Sequence, residues 1–517
     1  MSASVQSLVL PDDEHNRMLV ANVHPPDWLN PEPAGRYNMV VVGAGTAGLI
    51  TAVVAAGLGA KVALIERHLM GGDCLNVGCV PSKALIRAAN AWAQLRDASA
   101  FGLHIPPGVT RDFGAVMARM RKVRAGLSHV GSAHRYKSLG VDVYIGQARF
   151  TGRDAVSVEG PSGNRTLTFV NAAVCTGARA SAPAIPGLAE AGYLTNETVF
   201  SLTELPARLA VIGAGPIGCE LAQAFARFGS EVSLIEAMHG IMPNEDRDAA
   251  EVVQQSITRD GVRLLCCGKD LRVERTATGK RLLVDSHGQH YDVTVDEILV
   301  GVGRSPNVEG LGLETIGVEY DKTGVKVNDR LQTTNPRIYA AGDICSRYKF
   351  THAADAMAQI VIQNALFPHP FGLGYASMES LIMPWCTFTE PEIAHVGLYE
   401  ADAKKKGLEI ETYTYKLGEV DRAILDGEQE GFARIHIQKG TDKILGATIV
   451  AAHAGDLISE FSVAMKAGAG AKTIAATIHP YPTRVEVNKK VVNLWRKAHF
   501  TARTKMLLTR LFAWLRR

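Results

Sequence analysis

The sequence has 517 residues, 47% of them hydrophobic and 21% charged, with a formal net charge of +3. This length and composition predict several packed domains and exclude a disordered or fibrous protein. The 8 cysteines are too sparse for a disulfide-stapled secreted framework, and acidic residues occupy 12–14, where a secretory signal would be apolar, so we expect a reducing, cytoplasmic setting. No basic patch precedes the C-terminal tail, which argues against nucleic-acid binding.

The first 60 residues contain two segments of contrasting composition. Residues 1–36 are polar and proline-rich ("HPPDWLNPEPAG" at 24–35) and predict an extended N-terminal arm. The 23 residues of 38–60 carry no charge, and this length would suffice to span a membrane. Their five glycines instead indicate a strand, a tight turn and a helix buried in an α/β sheet.

One motif occurs twice in the chain. "VVVGAGTAG" at 40–48 is followed by Glu66, and "AVIGAGPIG" at 210–218 by Glu236, each acid lying 18 residues after the last glycine. In such a unit the first glycine permits the turn, the second admits a pyrophosphate, the third allows close helix packing, and the acid accepts hydrogen bonds from ribose hydroxyls. The repeat predicts two dinucleotide sites, with the glycines Gly43, Gly45, Gly48, Gly213, Gly215 and Gly218.

Two cysteines follow the first of these units, in "GGDCLNVGCVPSK" at 71–83. Zinc would require a second Cys/His pair at ligand spacing, and none lies nearby in the sequence. Lys83 comes one helical turn after Cys79, and a cation together with helix amides lowers the pKa of a cysteine thiol. The pattern therefore predicts a redox-active pair, Cys74 and Cys79.

Four stretches resemble the pyridine nucleotide-disulfide oxidoreductases, the flavoprotein family of glutathione reductase, dihydrolipoamide dehydrogenase and mercuric reductase. They are "GGDCLNVGCVPSKAL" at 71–85, "VCTGARASAP" at 174–183, "VGVGRSPN" at 300–307 and "TTNPRIYAAGDI" at 333–344. The resemblance runs from about residue 37 to 495. It implies an α/β fold with two Rossmann-like dinucleotide-binding domains and a C-terminal α+β dimerisation domain.

The resemblance also implies domain boundaries. An FAD-binding domain would take 37–182 and 307–376, an NAD(P)-binding domain 183–306, and a dimerisation domain 377–498, between the arm (1–36) and a basic amphipathic C-terminal helix (499–517). Strand-like runs at 432–438 and 443–451 and a helical pattern at 455–468 fit the dimerisation domain.

The cofactors follow from the same resemblance, which also implies a homodimer whose active sites use the partner's C-terminal domain. FAD would be held by the first glycine loop and by Glu66, Gly72, Lys83, Thr176, Gly177 and Asp343. The nicotinamide nucleotide, NAD(P)H, would be held by the second loop and by Glu236 and Gly303. Electrons would pass from the nucleotide through FAD to the disulfide of Cys74 and Cys79.

Within the redox pair, the resemblance makes Cys79 the flavin-proximal thiolate and Cys74 the interchange thiol that meets substrate. Lys83 would pair with Glu220 as a buried ion pair near the flavin. Pro216 stands where relatives such as glutathione reductase have a tyrosine that covers the nicotinamide pocket, and proline cannot swing in this way. Access to the flavin is therefore expected to be less gated.

Glu236 favours NADH over NADPH. A carboxylate at the end of this strand accepts hydrogen bonds from both ribose hydroxyls of NADH and repels a 2′-phosphate. The rival interpretation is NADPH held by His239 or Arg247.

The proton donor has two candidates. Disulfide-reducing relatives use a histidine in the pattern His-Pro-Thr-x-x-Glu, and the corresponding stretch here is "IHPYPTRVEV" at 478–487. Counting back five residues from Glu486 gives Tyr481, whereas His479 fits only with two inserted residues. Tyrosine, with a pKa near 10, mostly cannot act as a base at neutral pH, but reducing a thiophilic ion held by two thiolates needs no proton.

Mercuric reductases carry the pattern Tyr-x-Thr-x-Val-Glu, which "YPTRVE" at 481–486 matches. This predicts a mercuric reductase-like enzyme in which Cys74 and Cys79 transiently bind a substrate ion such as Hg(II). The sequence departs from that branch because no cysteine precedes Cys74 or follows Cys386, so the metal-delivery cysteines of mercuric reductases are missing. The adjacent Cys266 and Cys267, in "VRLLCCG", are interpreted as part of a buried strand.

Two alternatives stay open. One is an NADH-dependent enzyme that acts on a small disulfide or dithiol with His479 as its acid–base. The other is a flavin-binding subunit or sensor docked to a membrane partner.

The C-terminal tail is strongly basic. After Glu486 there is no acidic residue, and nine lysines and arginines remain. In "RTKMLLTRLFAWLRR" at 503–517 an apolar helical stripe with an aromatic edge is flanked by these cations. Such a helix can lie on an anionic membrane or pack on its own dimer, so peripheral membrane contact is one hypothesis.

Overall fold

A computed structural model of the chain describes residues 9–161 and 163–516. The first eight residues of the predicted arm, Ser162, and the last cation of the tail, Arg517, lie outside the described residues. The chain divides into two compact units, which we describe separately. Unit 1 comprises Met1–Gly213, Ala224–Ile235 and Gly268–Leu381, and unit 2 comprises Ala214–Gln223, Glu236–Cys267 and Ile382–Arg517.

The helices are α1 (Glu14–Val23), α2 (Thr46–Gly57), α3 (Gly72–Asn76), α4 (Cys79–Arg96), α5 (Phe113–Ser128), α6 (Ala133–Ser138), α7 (Leu188–Ala191), α8 (Pro216–Phe228), α9 (Arg247–Arg259), α10 (Thr351–Leu366), α11 (Glu400–Lys405), α12 (Asp421–Asp426), α13 (Ala454–Leu457), α14 (Ser459–Lys466), α15 (Ala471–Ala476), α16 (Glu486–Ala498) and α17 (Ala502–Leu515).

The strands are β1 (Tyr37–Val42), β2 (Val62–Glu66), β3 (Val141–Ile145), β4 (Gln147–Gly152), β5 (Ala155–Gly160), β6 (Gly163–Val174), β7 (Ala178–Ala180), β8 (Arg208–Ile212), β9 (Glu231–Ile235), β10 (Arg263–Leu265), β11 (Lys269–Thr276), β12 (Gly279–Ser286), β13 (Gln289–Val295), β14 (Glu297–Val300), β15 (Arg304–Pro306), β16 (Tyr320–Asp321), β17 (Gly324–Val325), β18 (Ile338–Ala340), β19 (Pro384–Thr387), β20 (Glu392–Gly397), β21 (Ile410–Lys416), β22 (Phe432–Gln438) and β23 (Ile444–Ala451).

The largest sheet of unit 1 has the strand order β3-β2-β1-β6-β5-β4, and β18 also pairs with β6. Strands β1, β2, β3, β6 and β18 run parallel, as expected of the continuous apolar run "MVVV" in β1, which is buried on both faces. Since β1 lies between β2 and β6, the loop that follows it opens at a point where the strand order reverses, which is where α/β sheets bind ligands.

Aromatic side chains fill the core beside this sheet. The fully buried rings of Phe150 and Phe169 meet edge to face with centroids 6.0 Å apart. Burying each ring contributes roughly 1.5–3 kcal/mol. Unit 1 also contains the parallel strands β9-β8-β14 and the antiparallel sheet β11-β12-β13. The parallel β8–β9 pair precedes the second glycine loop, so the repeated motif forms the same local structure twice.

Unit 2 contains an antiparallel five-stranded sheet in the order β19-β20-β23-β22-β21. Its buried face packs with residues of the C-terminal helices, among them Phe461 of α14 and Val491 and Trp495 of α16. The strands predicted at 432–438 and 443–451 are β22 and β23, and the helical pattern at 455–468 contains α14. The predicted α/β fold with a C-terminal α+β domain is confirmed.

The prediction of an extended arm at 1–36 is wrong for residues 14–23, which form α1. The carboxylate of Asp13 accepts a hydrogen bond from the Asn16 amide at 2.8 Å and caps the helix, an interaction worth about 1 kcal/mol. Leu19 and Val23 are fully buried, and Asp13 also pairs with Arg121 of α5 at 2.5 Å. The capped, half-apolar decapeptide therefore packs as a helix despite its polar and proline-rich surroundings.

The charge-free segment at 38–60 divides between β1 and α2, as the glycine pattern predicts. In the part of the chain that the structure describes, no helix has both the length and the apolarity that crossing a membrane requires.

Candidate active site

The first glycine loop joins β1 to α2 and is closely packed at two of its three glycines. Gly43 has φ +101°, and a Cβ atom on it would lie 2.4 Å from the Cys175 carbonyl oxygen. A Cβ on Gly48 would lie 1.8 Å from the Gly43 oxygen, so the helix approaches the strand too closely for any side chain. At Gly45 the same added atom would meet only the Gly72 Cα, at 3.9 Å, which leaves open space for a phosphate group.

The carboxylate of Glu66 closes this loop at the end of β2. It accepts hydrogen bonds from the amides of Ala44 at 2.7 Å and His68 at 2.8 Å, one on each oxygen. Burial raises the pKa of Glu66, and these two amide bonds oppose the rise. Each oxygen keeps a further lone pair for a ribose hydroxyl, so the loop and the acid fit a dinucleotide.

The second loop repeats these hydrogen bonds. Glu236 accepts from the amides of Ala214 at 2.7 Å and Met238 at 2.9 Å, the positions that correspond to Ala44 and His68. Gly213 has φ +100°, and a Cβ on Gly215 would have nothing within 4 Å. The second loop therefore leaves the same open approach for a pyrophosphate, and its residues fit a second dinucleotide.

The remaining predicted nucleotide residues, with the two NADPH candidates, lie on two loops and two helices. Gly218 is in the first turn of α8. Gly303 has φ +133°, and its carbonyl accepts a hydrogen bond from the Ser181 amide at 3.0 Å. The side chains of both NADPH candidates have other partners: Arg247 donates to the carbonyls of His239 and Ile241, at 3.3 and 3.0 Å, and the His239 Nδ1 lies 3.5 Å from the Cys267 sulfur.

The predicted FAD residues of unit 1 are tied together by polar contacts. The side chain of Asn307 donates to the Thr176 carbonyl at 2.9 Å, and its backbone amide donates to the Gly177 carbonyl at 3.0 Å. Asp343 forms an ion pair with Arg304 at 3.3 Å, and Arg304 also pairs with Asp73 beside the redox motif. Arg304 lies in the motif at 300–307, but its sequence position alone does not indicate these contacts.

The redox cysteines lie on neighbouring short segments. Cys74 is in the single turn α3, and Cys79 is the first residue of α4. Cys74 is half-buried, and Cys79 is exposed as a whole residue although neighbouring atoms partly desolvate its sulfur. Gly72 has φ +57°, and a Cβ on it would clash with the Gly45 backbone at 2.7 Å, so the redox segment packs directly on the dinucleotide loop.

The two thiols have opposite pKa shifts. The hydrogen bond from Cys74 lowers the pKa of Cys79 to about 6, with further lowering by Thr351 and by the charge of Lys83, while burial opposes them. The same hydrogen bond, together with burial, raises the pKa of Cys74. At neutral pH the pair therefore holds one proton on Cys74 and a thiolate on Cys79.

Thr351 is a site residue that no sequence motif indicates. Its hydroxyl lies 3.4 Å from the Cys79 sulfur, and it is the first residue of α10. Two helix N-termini, those of α4 and α10, thus meet at one sulfur, and the partial positive charge of each stabilises a thiolate.

Lys83 and Glu220 were predicted to form a buried ion pair. Lys83 lies on α4, and its charge lowers the pKa of Cys79. Glu220 is buried on α8 and accepts a hydrogen bond from the Phe388 amide at 2.8 Å. The ion pair itself stays a prediction.

The two candidates for the proton donor differ in exposure and partners. The His479 side chain is 6% exposed, and its Nε2 lies 2.9 Å from an oxygen of Glu460. Tyr481 is 69% exposed and donates its hydroxyl to Asp421 at 2.9 Å. This hydrogen bond raises the pKa of Tyr481. Glu486 begins α16 and has a buried oxygen for which no hydrogen-bond partner is found among the described residues.

The interpretation of Cys266 and Cys267 as part of a buried strand is wrong. Strand β10 ends at Leu265, and both cysteines are half-buried in the turn that follows. Cys267 has φ +55°, a conformation that a β-strand does not contain.

Two family models match the sequence. Residues 37–358 match the model described as pyridine nucleotide-disulphide oxidoreductase, and residues 383–492 match the dimerisation domain of the same family. Mercuric reductase of Staphylococcus aureus is 35% identical over 457 residues, which cover 87% of this chain and 81% of the relative. Dihydrolipoyl dehydrogenase of Bacillus subtilis is 35% identical over 458 residues, covering 88% and 95%.

Solved structures share the fold. The HOCl-induced flavoprotein disulfide reductase RclA from Escherichia coli has a TM-score of 0.77 at 28% identity, with 89% of this chain and 100% of that chain covered. LpdA from Mycobacterium tuberculosis has a TM-score of 0.78 at 26% identity, covering 89% and 99%.

Proposed function

The chain belongs to the pyridine nucleotide-disulphide oxidoreductase family of flavin-dependent enzymes, and on that premise we propose that it is mercuric reductase-like. It oxidises NADH and uses Cys74 and Cys79 to reduce a thiophilic metal ion such as Hg²⁺. Relatives named mercuric reductase and dihydrolipoyl dehydrogenase are equally similar to it, so the choice of substrate rests on the site.

FAD, when bound, supplies the chemistry that connects a hydride donor to a pair of thiols. The glycine loops and their two carboxylates position the dinucleotides. Thr351, Lys83 and the helix N-termini stabilise the negative charge on Cys79, while Cys74 carries the proton. A soft ion displaces that proton and binds both sulfurs, because thiolates are the ligands such ions prefer.

The proposed reaction needs no proton donor at the sulfur pair. One NADH and one Hg²⁺ give NAD⁺, H⁺ and Hg⁰: the two electrons of the hydride end on mercury, and neither sulfur changes its oxidation state. Disulfide reduction differs, because the sulfur that leaves takes up a proton from a positioned acid.

The observation that carries the choice is the contrast between Tyr481 and His479. Tyr481 occupies the register of the family base, is largely exposed, and has a raised pKa because it donates to Asp421. His479 is buried against Glu460. The exposed group at this position is therefore a weak acid that can contact a metal–thiol complex but delivers a proton poorly at neutral pH.

One observation favours the alternative, reduction of a small disulfide. A histidine whose ring nitrogen is held by a carboxylate is the usual arrangement of a general acid–base, and His479 has such a partner in Glu460. In that case His479 would protonate the departing sulfur.

Metal-ion reduction and disulfide reduction can be distinguished by the rate of NADH oxidation by the holoenzyme with different acceptors. The acceptors compared are Hg²⁺ with excess thiol, oxidised glutathione, and lipoamide. We expect Hg²⁺-dependent turnover. His479→Ala should change its rate by no more than about twofold, whereas Tyr481→Phe should lower it about tenfold or more. The proposal is overturned if disulfides are the better acceptors, His479→Ala abolishes their reduction, and Tyr481→Phe has no effect.

NADH is the proposed nucleotide because Glu236 presents acceptors to the ribose, and because Arg247, the first residue of α9, is bonded to the carbonyls of His239 and Ile241 in the preceding loop. The dimerisation domain supports a homodimer. A reducing cytoplasm is the proposed setting, because 8 cysteines in 517 residues are too sparse for the disulfide framework of a secreted protein.

We also propose that α17 brings this enzyme to anionic membrane surfaces. None of its residues is buried, and Leu507, Leu511 and Trp514 follow one another at helical spacing with exposures of 45–68%. Arg510 and Lys505 flank this apolar stripe. Apolar side chains bordered by cations are the composition of a helix that lies in a lipid headgroup layer.

A further inference from the structure

A second group of metal-ligating side chains lies in unit 2, apart from the redox motif in sequence. The ligand atoms of His239, Cys266 and Cys267 all lie within 4.8 Å of one another. The Cys267 sulfur and the His239 Nδ1 are 3.5 Å apart. In a tetrahedral zinc site, bonds of about 2.3 Å to sulfur and 2.0 Å to nitrogen place two such ligands about 3.5 Å apart.

The backbone conformation places the side chains of both adjacent cysteines near His239. In a strand, successive side chains point to opposite faces, but β10 ends before Cys266, and Cys267 adopts φ +55°. Its amide also donates to the Met238 carbonyl at 2.9 Å, which holds the turn against the segment that carries His239. A left-handed residue of this kind is costly unless its surroundings fix it, and such residues cluster at functional sites.

We propose that His239, Cys266 and Cys267 bind a thiophilic divalent cation of the zinc type. Two thiolates and one imidazole form a Cys₂His ligand set, which zinc accepts with its fourth position taken by water or another ligand. The cysteines are half-buried and the histidine is exposed, so an ion can reach them from solvent.

The proposed metal site adjoins the carboxylate assigned to the nucleotide ribose. The Glu236 amide donates to the Leu265 carbonyl at 3.0 Å, immediately before the cysteines, and the Met238 amide donates to the Glu236 carboxylate, immediately before His239. An ion that joins the two segments would fix or shift Glu236. We therefore expect metal binding to change the affinity for NAD⁺; this second part of the inference rests on the proposed nucleotide site.

The experiment uses the full-length holoenzyme with the redox thiols removed, Cys74→Ser/Cys79→Ser, so that they cannot bind the probe. Zn²⁺ binding is measured under reducing conditions by competition with a chromophoric chelator. We expect one equivalent of Zn²⁺ per chain. Adding Cys266→Ser, Cys267→Ser or His239→Ala should weaken binding by about tenfold or more.

The matched control is Cys386→Ser, which removes another half-buried cysteine of unit 2 and should leave binding unchanged. The metal site is refuted if Zn²⁺ stoichiometry is the same with and without Cys266 and Cys267. It is also refuted if the two cysteines stay joined as a vicinal disulfide under these conditions, since such sulfurs cannot bind the ion. NAD⁺ affinity is then measured with and without Zn²⁺: an unchanged affinity refutes only the coupling to the nucleotide site and leaves the metal site standing.

Discussion

The Thr351 hydroxyl lies 3.4 Å from the Cys79 sulfur, although 272 residues separate them in sequence. Each residue begins a helix, so two helix N-termini and one hydroxyl donor stabilise the same thiolate. Together with Cys74 and Lys83 they account for the lowered pKa of Cys79.

Replacing Thr351 by valine should raise the pKa of Cys79. A hydrogen bond to a charged group contributes about 1.5 kcal/mol or more, which corresponds to roughly one pKa unit. The ultraviolet absorbance of the thiolate, titrated in the reduced protein and corrected with Cys79→Ser, measures the change. Thr351→Ser keeps the hydroxyl and should titrate as the wild type does; equal titration of the valine variant would contradict the assignment.

Removing the Cys74 thiol should shift the same titration further, because its hydrogen bond is the largest cause of the low pKa. In the wild type Cys79 is a thiolate above pH 6 and becomes protonated as the pH falls through about 6, so turnover should decline there. In Cys74→Ala the midpoint should move up toward the ordinary value near 8.5. In Cys74→Ser, which retains a hydrogen-bond donor, the Cys79 midpoint should lie between those of the wild type and Cys74→Ala. An unmoved midpoint in both variants would show that the two thiols do not share a proton.

Arg304→Met should destabilise unit 1. It leaves Asp343 and Asp73 without their common cation, and losing a hydrogen-bonded contact between charged groups costs about 1.5–3 kcal/mol. We expect a lower Tm and faster release of FAD on dilution. Arg304→Lys, whose single ammonium group cannot reproduce the forked contacts, should recover only part of the loss. A methionine variant with wild-type Tm and FAD retention would show that the ion pairs contribute nothing to stability.

Glu236→Gln should raise the KM for NADH about tenfold with little change in kcat. The single amide oxygen of glutamine can still accept a hydrogen bond from one of the two backbone amides, those of Ala214 and Met238. Its NH₂ group then faces the other amide, and leaving that donor without an acceptor costs about 1–3 kcal/mol. Steady-state kinetics with NADH and NADPH measure the effect. Glu66→Gln makes the same change in the first loop and should affect FAD retention instead, so a rise in KM for NADH in both variants would undermine the separate assignments.

The sequence was sufficient for features whose residues are neighbours along the chain. The glycine loops, their acids and the cysteine pair each lie within one strand–turn–helix unit or one short segment, so spacing alone predicts their geometry. Thr351 and Arg304 come from distant segments, and only the folded chain shows that they lie at the redox motif. Helix α1 was not predicted because the polar and proline-rich composition of residues 1–36 was given more weight than the Asp13 cap and the apolar face of this one segment.

The error at Cys266 and Cys267 has a different cause. An apolar run predicts burial, but it does not predict where a strand ends. Strand β10 ends before Cys266, and the left-handed conformation of Cys267 interrupts the alternation of side chains that a strand would impose. His479 and Tyr481 remain separate hypotheses because sequence register and hydrogen-bond partners favour different roles for them.

The exposed apolar stripe of α17 gives a prediction that does not depend on the redox chemistry. Trp514 is 68% exposed and Phe512 54%, and the flanking cations would face lipid phosphates when the stripe is buried. The intact protein should co-sediment with vesicles that contain phosphatidylglycerol and much less with phosphatidylcholine vesicles, and high salt should weaken the binding. Phe512→Ser/Trp514→Ser should reduce co-sedimentation several-fold while NADH oxidation is retained. Leu103→Ser removes a side chain of similar exposure, 64%, outside the tail and should behave as the wild type does. If the tail variant instead alters the oligomeric state and leaves vesicle binding unchanged, the helix packs on its own dimer and the membrane hypothesis is wrong.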